Sequence, residues 1–411
     1  MRYTIVDYFR KTLCRENRTM SPVKSQIKLK TEMRHIIDNE SAALKELALK
    51  IHSNPELGYQ EFKAAKWLTE YLENHGFAIE KGVCGIQTSF VATYGKGKPR
   101  GAILAEYDAL PGIGHGCGHN LICTIACGAA VAAKRAVDEH GGTMLVIGTP
   151  AEETAGAKVE MAKKGIFNGI DAALIAHPGS ADHATMNTLA MQGVDVEFFG
   201  RASHASANPE MGINALDAMV LSINNINAMR QHLPKSVRIH GIITDGGRAA
   251  NIIPDHSAGE FMVRATNDTY LNELKEKVIE CFKGAACATG ARLVYRWQRQ
   301  YSAMKTNNTL AELYIANMNA LGRNVIFPPP DGPMASTDMG NVSQIVPAIH
   351  PMIAIGAVDG PAHSPAFAKA AASPAGLKGM LDAAKALAMT AADILGNPAV
   401  LKKMKDEFNA N

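Results

Sequence analysis

Two short segments bring together a thiol, imidazoles and carboxylates at spacings that suit divalent cations. Gly114-His115-Gly116-Cys117-Gly118-His119-Asn120 sets a thiolate and an imidazole on either side of a glycine, and such soft and borderline donors fit Zn²⁺, Mn²⁺ or Co²⁺. Thr149-Pro150-Ala151-Glu152-Glu153-Thr154 supplies adjacent carboxylates. Neighbouring side chains point in different directions, so one can bind metal while the other takes a proton from an attacking water. Glu106-Tyr107-Asp108-Ala109-Leu110-Pro111, His177-Pro178 and His363-Ser364-Pro365 add further candidate donors. Each segment has a bland reading: a glycine-rich helix entry, an acidic helix start favoured by the macrodipole, or turn histidines. Their repetition at the ends of successive apolar runs favours metal-assisted hydrolysis. Cys117 acting as a covalent nucleophile with His119 is a rival, but it leaves Glu152, Glu153, His177 and His363 without a role.

These clusters need a scaffold that gathers them. The apolar runs Thr88 to Tyr94, Gly101 to Ala105, Thr143 to Gly148 and Ala172 to Ala176 read as strands. They alternate with helical patterns at 120–138 and 157–165, which predicts a parallel or mixed α/β sheet with ligands at the strands' C-terminal ends. Residues 30–52 and 60–75 have apolar positions at helical spacing (Leu44, Leu47, Ile51; Leu68, Leu72) and read as two surface helices. From 191 to 302 the order changes to strand, helix, strand, strand, helix, strand, the βαββαβ ferredoxin-like arrangement. A long alanine-rich helix is expected over 370–395. The expected organisation is a tail (1–30), a catalytic domain in two parts (31–190 and 303–411), and an inserted domain (191–302).

Composition excludes several classes of partner. Of 411 residues, 47% are hydrophobic and 20% charged, and 42 Lys plus Arg against 39 Asp plus Glu leave a net charge of +3. That charge creates no field of the kind used for nucleic acid or an anionic membrane, so a small molecule is the expected partner. Seven scattered cysteines in a long chain fit a reducing compartment rather than a disulfide framework. A cytoplasmic location is expected, with an organelle-targeting leader built on Arg2, Arg10, Lys11, Arg15 and Arg18 as the alternative. Cys123 and Cys127 fall on an apolar helix face and read as core residues.

In this order, the motifs named above, with Gly200-Arg201-Ala202-Ser203-His204-Ala205, resemble those of the M20 metallopeptidase family. Within it they are similar to the amidohydrolase branch, which holds aminoacylases, aminobenzoyl-glutamate hydrolases and M20 domain-containing protein 2-like dipeptidases. The resemblance runs from about His52 to the last helix. It implies a metallopeptidase α/β catalytic domain with an inserted ferredoxin-like lid that also dimerises. It further implies two divalent cations (Zn or Mn, or Co) held by Cys117, His119, Glu153, His177 and His363, with Glu152 as general base and Asp108 orienting a ligand. Glu106-Tyr107-Asp108 departs from the His-x-Asp of the peptidase branch, and Cys117/His119 is the amidohydrolase alternative. That points to N-acyl amino acids or β-alanyl-type dipeptides.

The same resemblance implies that His204 and Asn251 reach the active site of a second protomer in a homodimer formed through 191–302. Arg264 would pair with a substrate carboxylate, and Ser336 and Asp338 would sit in a substrate-contacting loop. His52 to Gly58 also matches a family signature and reads as shaping the turn between the first helices. A ureido-bond hydrolase of the same family and a non-catalytic, metal-stabilised binding protein are the alternatives; Glu152 argues against the second.

Overall fold

In the computed structural model, which describes residues 22–358 and 360–410, the first element is α1 (Pro22–Asn39). It begins inside the segment read as a tail, and Leu29, Met33 and Ile37 along one face are buried. The basic residues between Arg2 and Arg18 lie outside the described residues. Helices α2 (Ser41–His52) and α3 (Phe62–Asn74) follow, so the pattern over 30–52 is two helices parted at Glu40. They lie at the periphery, yet Leu44, Leu47, Ile51, Leu68 and Leu72 are all buried. The expected helical spacing therefore marks a core-facing stripe.

The first sheet takes β1 (Ala78–Lys81), β2 (Phe90–Lys96), β3 (Arg100–Ala105), then, after α4 (His119–His140), β4 (Gly142–Gly148). Beyond α5 (Ala157–Lys163) come β5 (Ala172–Leu174) and the short β6 (His177–Gly179). Its spatial order is β1-β2-β4-β3-β5, closed by a late strand. β1, β2 and β4 pair antiparallel, and β4, β3 and β5 pair parallel. The centre is buried on both faces: Ile103, Ala105, Met144 and Val146 join one core, while Ala102, Leu104, Leu145 and Ile147 join the other. That is why these strands read as continuous apolar runs.

Residues 190–301 build a separate four-stranded sheet from β7 (Ala190–Phe199), α6 (Ala215–Arg230), β8 (Arg238–Asp245), β9 (His256–Ala265), α7 (Asp268–Thr289) and β10 (Arg292–Tyr301). Its order, β10-β7-β9-β8, is antiparallel throughout. It has its own core around Val194, Phe198, Phe261 and Phe282.

The chain then returns with α8 (Asn308–Asn319), α9 (Met339–Ser343), β11 (Ala348–Ile349), β12 (Met352–Ala354), α10 (Pro365–Ala371), α11 (Pro374–Gly396) and α12 (Pro398–Ala410). β11 adds parallel to β5, and β12 to β6. The helix expected over 370–395 is divided. Pro374 occupies the first turn of α11, and Ser373 caps it by accepting from Gly376 N at 3.1 Å, the preference of proline for a helix start. α4 is long and apolar enough to cross a membrane by length and composition, but 89% of its apolar window is buried in the fold. It is a core helix; Cys123 and Cys127 lie on it, fully buried.

Candidate metal centre

The ends of three neighbouring strands define the site. β3 runs into Glu106 and Asp108, β4 into Glu152 and Glu153, and the segment after β5 into His177. Cys117 and His119 come from the loop that opens α4, and His363 from the loop before α10. Gly118 makes the first of these loops possible. Its φ is +76°, and a Cβ there would lie 2.5 Å from Cγ of Pro178, so a side chain would push away the very segment that carries His177. Ala151 adopts φ +55° without being glycine, a strained conformation that persists only when surroundings impose it. Its N–H donates to Oε1 of buried Glu61 at 2.8 Å, and its carbonyl accepts from Ala155 and Gly156.

The expected donors converge. Cys117, His119 and His177 form one group, Cys117, Glu153 and His363 a second, and His119, Glu152 and Glu153 a third, with the ligand atoms of each within 4.8 Å of one another. Nδ1 of His119 lies 3.0 Å from Oδ1 of Asp108. With Nδ1 donating there, Nε2 turns a lone pair inward. That atom is buried without a hydrogen-bond partner and lies 3.7 Å from both Glu106 Oε2 and Glu153 Oε1. A carboxylate fixing one ring nitrogen and leaving the other orphaned is how proteins prepare a histidine for metal. Oδ2 of Asp108 also accepts from Glu153 N at 2.9 Å, so one carboxylate orients two of the donors. Sγ of Cys117 is 3.4 Å from Nε2 of His177, whose Nδ1 is 2.7 Å from Pro178 O. Burial pushes the Cys117 thiol up, so a thiolate here requires a cation beside it. The donor set thus fits a pair of divalent metals.

The carboxylates are electrostatically divided. Burial would raise Glu153, but the bond from His363, 3.3 Å away, and the charge of His119 hold it at about 2. For Glu152 the balance falls the other way: burial, then Glu106, Asp338 and Glu153, push it well above the usual range, and the charge of Lys158 offsets only part of that. Adjacent carboxyls pushed in opposite directions mark a ligand beside a proton carrier.

Not every expected contact faces the cavity. Asp338 is fully buried, its Oδ1 bonded to Lys158 Nζ at 2.6 Å and its Oδ2 to Lys158 N at 3.0 Å. A carboxylate so enclosed cannot meet a substrate; with Glu106, also 2.6 Å from Lys158 Nζ, it satisfies a buried cation. Ser336 does line the cavity, where Arg264 Nη1 donates to its Oγ at 3.2 Å, and Arg264 Nε is buried without a partner. His204 and Asn251 lie exposed in the 190–301 unit, outside the residues that line the metal cavity. His204 accepts from Ala207 N within its own loop. His52 Nε2 is 2.8 Å from Ala368 O, Glu56 accepts from Lys63 N and Ala64 N, and Gly58 packs against Ala151 and Thr154; the His52–Gly58 motif thus ties the first helices to the turn that carries Glu152 and Glu153. Sequence reasoning missed Lys158 and His350. His350 lines the cavity fully buried with neither ring nitrogen bonded, and its only sequence signal was its position at the end of an apolar run.

A family model described as peptidase family M20/M25/M40 matches residues 102–389. The chain is 38% identical over 397 residues to the Xaa-Arg dipeptidase of Mus musculus, covering 92% of each chain. It is 34% identical over 286 residues to one of the subunits of the p-aminobenzoyl-glutamate hydrolase of Escherichia coli, covering 64% of this chain and 60% of that one. Its fold matches a dinuclear metal-binding M20 peptidase of Bacillus subtilis with a TM-score of 0.68 and 20% identity, over 87% of this chain and 99% of that one.

Proposed function

The chain belongs to peptidase family M20/M25/M40, and from that premise we propose that it is a two-metal hydrolase cleaving the amide bond of an N-acyl amino acid or an unusual dipeptide. The observation that carries the reading is the convergence of Cys117, His119, Glu153, His177 and His363 beside a carboxyl, Glu152, whose affinity for a proton its surroundings raise. A purely structural metal site has no use for such a neighbour. The named relatives act on Xaa-Arg dipeptides and p-aminobenzoyl-glutamate, and in both kinds of compound an amide bond leads to an amino acid with a free carboxylate.

Zn²⁺ or Mn²⁺, or Co²⁺, held by those five residues would acidify the attacking water and polarise the scissile carbonyl. Glu152 takes the proton from that water as the oxygen adds to the carbonyl carbon. It then gives the proton to the nitrogen as the C–N bond breaks, releasing a carboxylic acid and an amine. Asp108 holds His119 and Glu153 in register. Arg264, beside Ser336, pairs with the substrate's carboxylate. His204 and Asn251 of a second copy donate to the developing oxyanion. That sharing is supported by their exposure and by the free edge of β8, where Ile242 is 63% exposed. Unpaired cysteines among the described residues support action in the cytoplasm.

The test is hydrolysis by metal-stripped protein, with and without added Mn²⁺, Zn²⁺ or Co²⁺, of N-acetyl and longer N-acyl amino acids, p-aminobenzoyl-glutamate, and β-alanyl and Xaa-Arg dipeptides. Metal-restored cleavage is expected for at least one of these classes. Full activity after chelation would overturn the reading.

A further inference from the structure

Three cavities lie in a row across the metal centre, and the chain passes all of them in four residues. Met334 lines only the outer one, Ala335 the outer and middle ones, Ser336 the middle and inner ones, and Thr337 the middle one. The middle cavity (≈ 400 Å³) holds Cys117, Glu152, Glu153, His177 and His363. The inner one (≈ 510 Å³) shares Glu152, Glu153, Arg264 and Ser336 with it and adds Arg299. The outer one (≈ 410 Å³) shares Ser180, Met186, Ala335 and Met352 with the middle one and no residue with the inner one. For a molecule with its reactive carbonyl at the metal donors and its carboxylate on Arg264, the outer cavity is the space that adjoins the middle one on the side away from Arg264.

Met186, Met334, Met352, Pro328, Pro329 and Pro333 make up half of the residues that line the outer cavity, and Ser180, His183, Thr185 and Asn187 are its polar ones. Ile326 and Phe327, just before its proline rim, are 54% and 43% exposed, and clustered exposed apolar side chains mark a binding site more often than a plain surface. The walls are tied before any ligand arrives. Asn187 Nδ2 donates to Pro329 O at 2.7 Å, Leu189 N to Ala335 O at 2.8 Å, and Met352 N to His183 O at 2.8 Å. Methionine walls adapt to irregular apolar shapes, and preformed, mostly apolar pockets of this size are the usual small-molecule sites.

We infer that the outer cavity, formed by Met186, Met334, Met352 and the Pro328–Pro333 rim, is the acyl-group subsite and selects substrates with an aromatic or medium-length aliphatic acyl group. The inference rests on the hydrolase reading for the orientation of the substrate. The cavity assignment itself is tested by binding.

Full-length protein carrying Glu152→Gln and ¹³C-methyl methionine is titrated with N-benzoyl-glutamate and with N-acetyl-glutamate. The methyl resonances of Met186, Met334 and Met352 are expected to move with the benzoyl compound, which should bind at least about tenfold more tightly than the acetyl compound. Met334→Asp, at an exposed position outside the hydrophobic cores, should remove that advantage and leave acetyl binding within about twofold. Equal affinities, shifts confined to other methionines, or an advantage untouched by Met334→Asp would overturn the assignment. Wild-type protein is assayed for cleavage of the same pair. Methionine shifts as expected, with neither compound cleaved under any of the three metals, would count against the hydrolase reading and leave the subsite standing.

Discussion

Glu152 and Glu153 share a backbone turn and differ in what their carboxyls meet, so removing each should do something different. Glu152→Ala should bind both metals as the wild type does and lose at least about a hundredfold in kcat, the usual contribution of a positioned acid-base group. Metal content and turnover measured on one preparation decide this, and parallel loss of both would contradict the assignment to proton transfer. Glu61, fully buried under the same turn, offers a separate test of stability. Burial, aided by the Asp108 charge, raises its carboxyl to about 7. The native state therefore holds a proton that the unfolded chain releases near pH 4.5. The stability contributed by this group is present below pH 4.5 and lost as pH rises through about 7, a span worth at most about 3 kcal/mol. Melting of metal-free protein between pH 5 and 8 should fall more steeply for wild type than for Glu61→Gln. Identical slopes would remove Glu61 from the account.

Single elements place these residues, and one side chain fastens three of them. Lys158 on α5 is completely buried and meets Glu106 after β3 and Asp338 at the start of α9. Lys158→Met leaves both carboxylates buried without their cation, which costs about 3–5 kcal/mol when a buried pair is broken from one side. Urea unfolding of metal-free protein should show that loss, and a change below about 1 kcal/mol would refute the staple. The same residue marks the boundary of what could be read from the chain alone. The central strands were legible because burial on both faces leaves an apolar run, and Glu152, Glu153 and His177 stood out as candidates because they follow the ends of those runs; Cys117, His119 and His363 lie in loops, and the family resemblance joined them to the set. The partnership of Lys158 with Asp338 spans 180 positions; nothing local distinguishes Asp338 from a polar residue that faces solvent, so its sequence context reads as a substrate contact. The division at Ser373-Pro374 carried its own signal, a capping serine before a proline, which the helical periodicity on either side obscured.

For the whole molecule, the question is whether one chain makes a complete site. His204 and Asn251 are exposed and absent from the cavity that holds the donors, while β8 ends its sheet unpaired, with Ile242 and Ile243 exposed on it and Val220 and Leu221 exposed on α6. An open strand edge with exposed apolar side chains is a template for another strand, and a two-fold contact through it would pair the 190–301 units of two copies. Two inactive variants, His204→Ala and Glu152→Ala, separate this arrangement from a self-sufficient chain. If His204 serves its own chain, every site in a mixture carries one defect and activity stays at the level of the parents. If it serves the partner, each mixed dimer has one site with both defects and one with none. Random exchange makes about half of the dimers mixed, so about a quarter of all sites should regain wild-type turnover. Activity is read after co-refolding at equal ratio, with mixed dimers counted by native mass spectrometry. Mixed dimers present in the expected proportion with no recovered turnover would mean that His204 acts within its own chain or not at all.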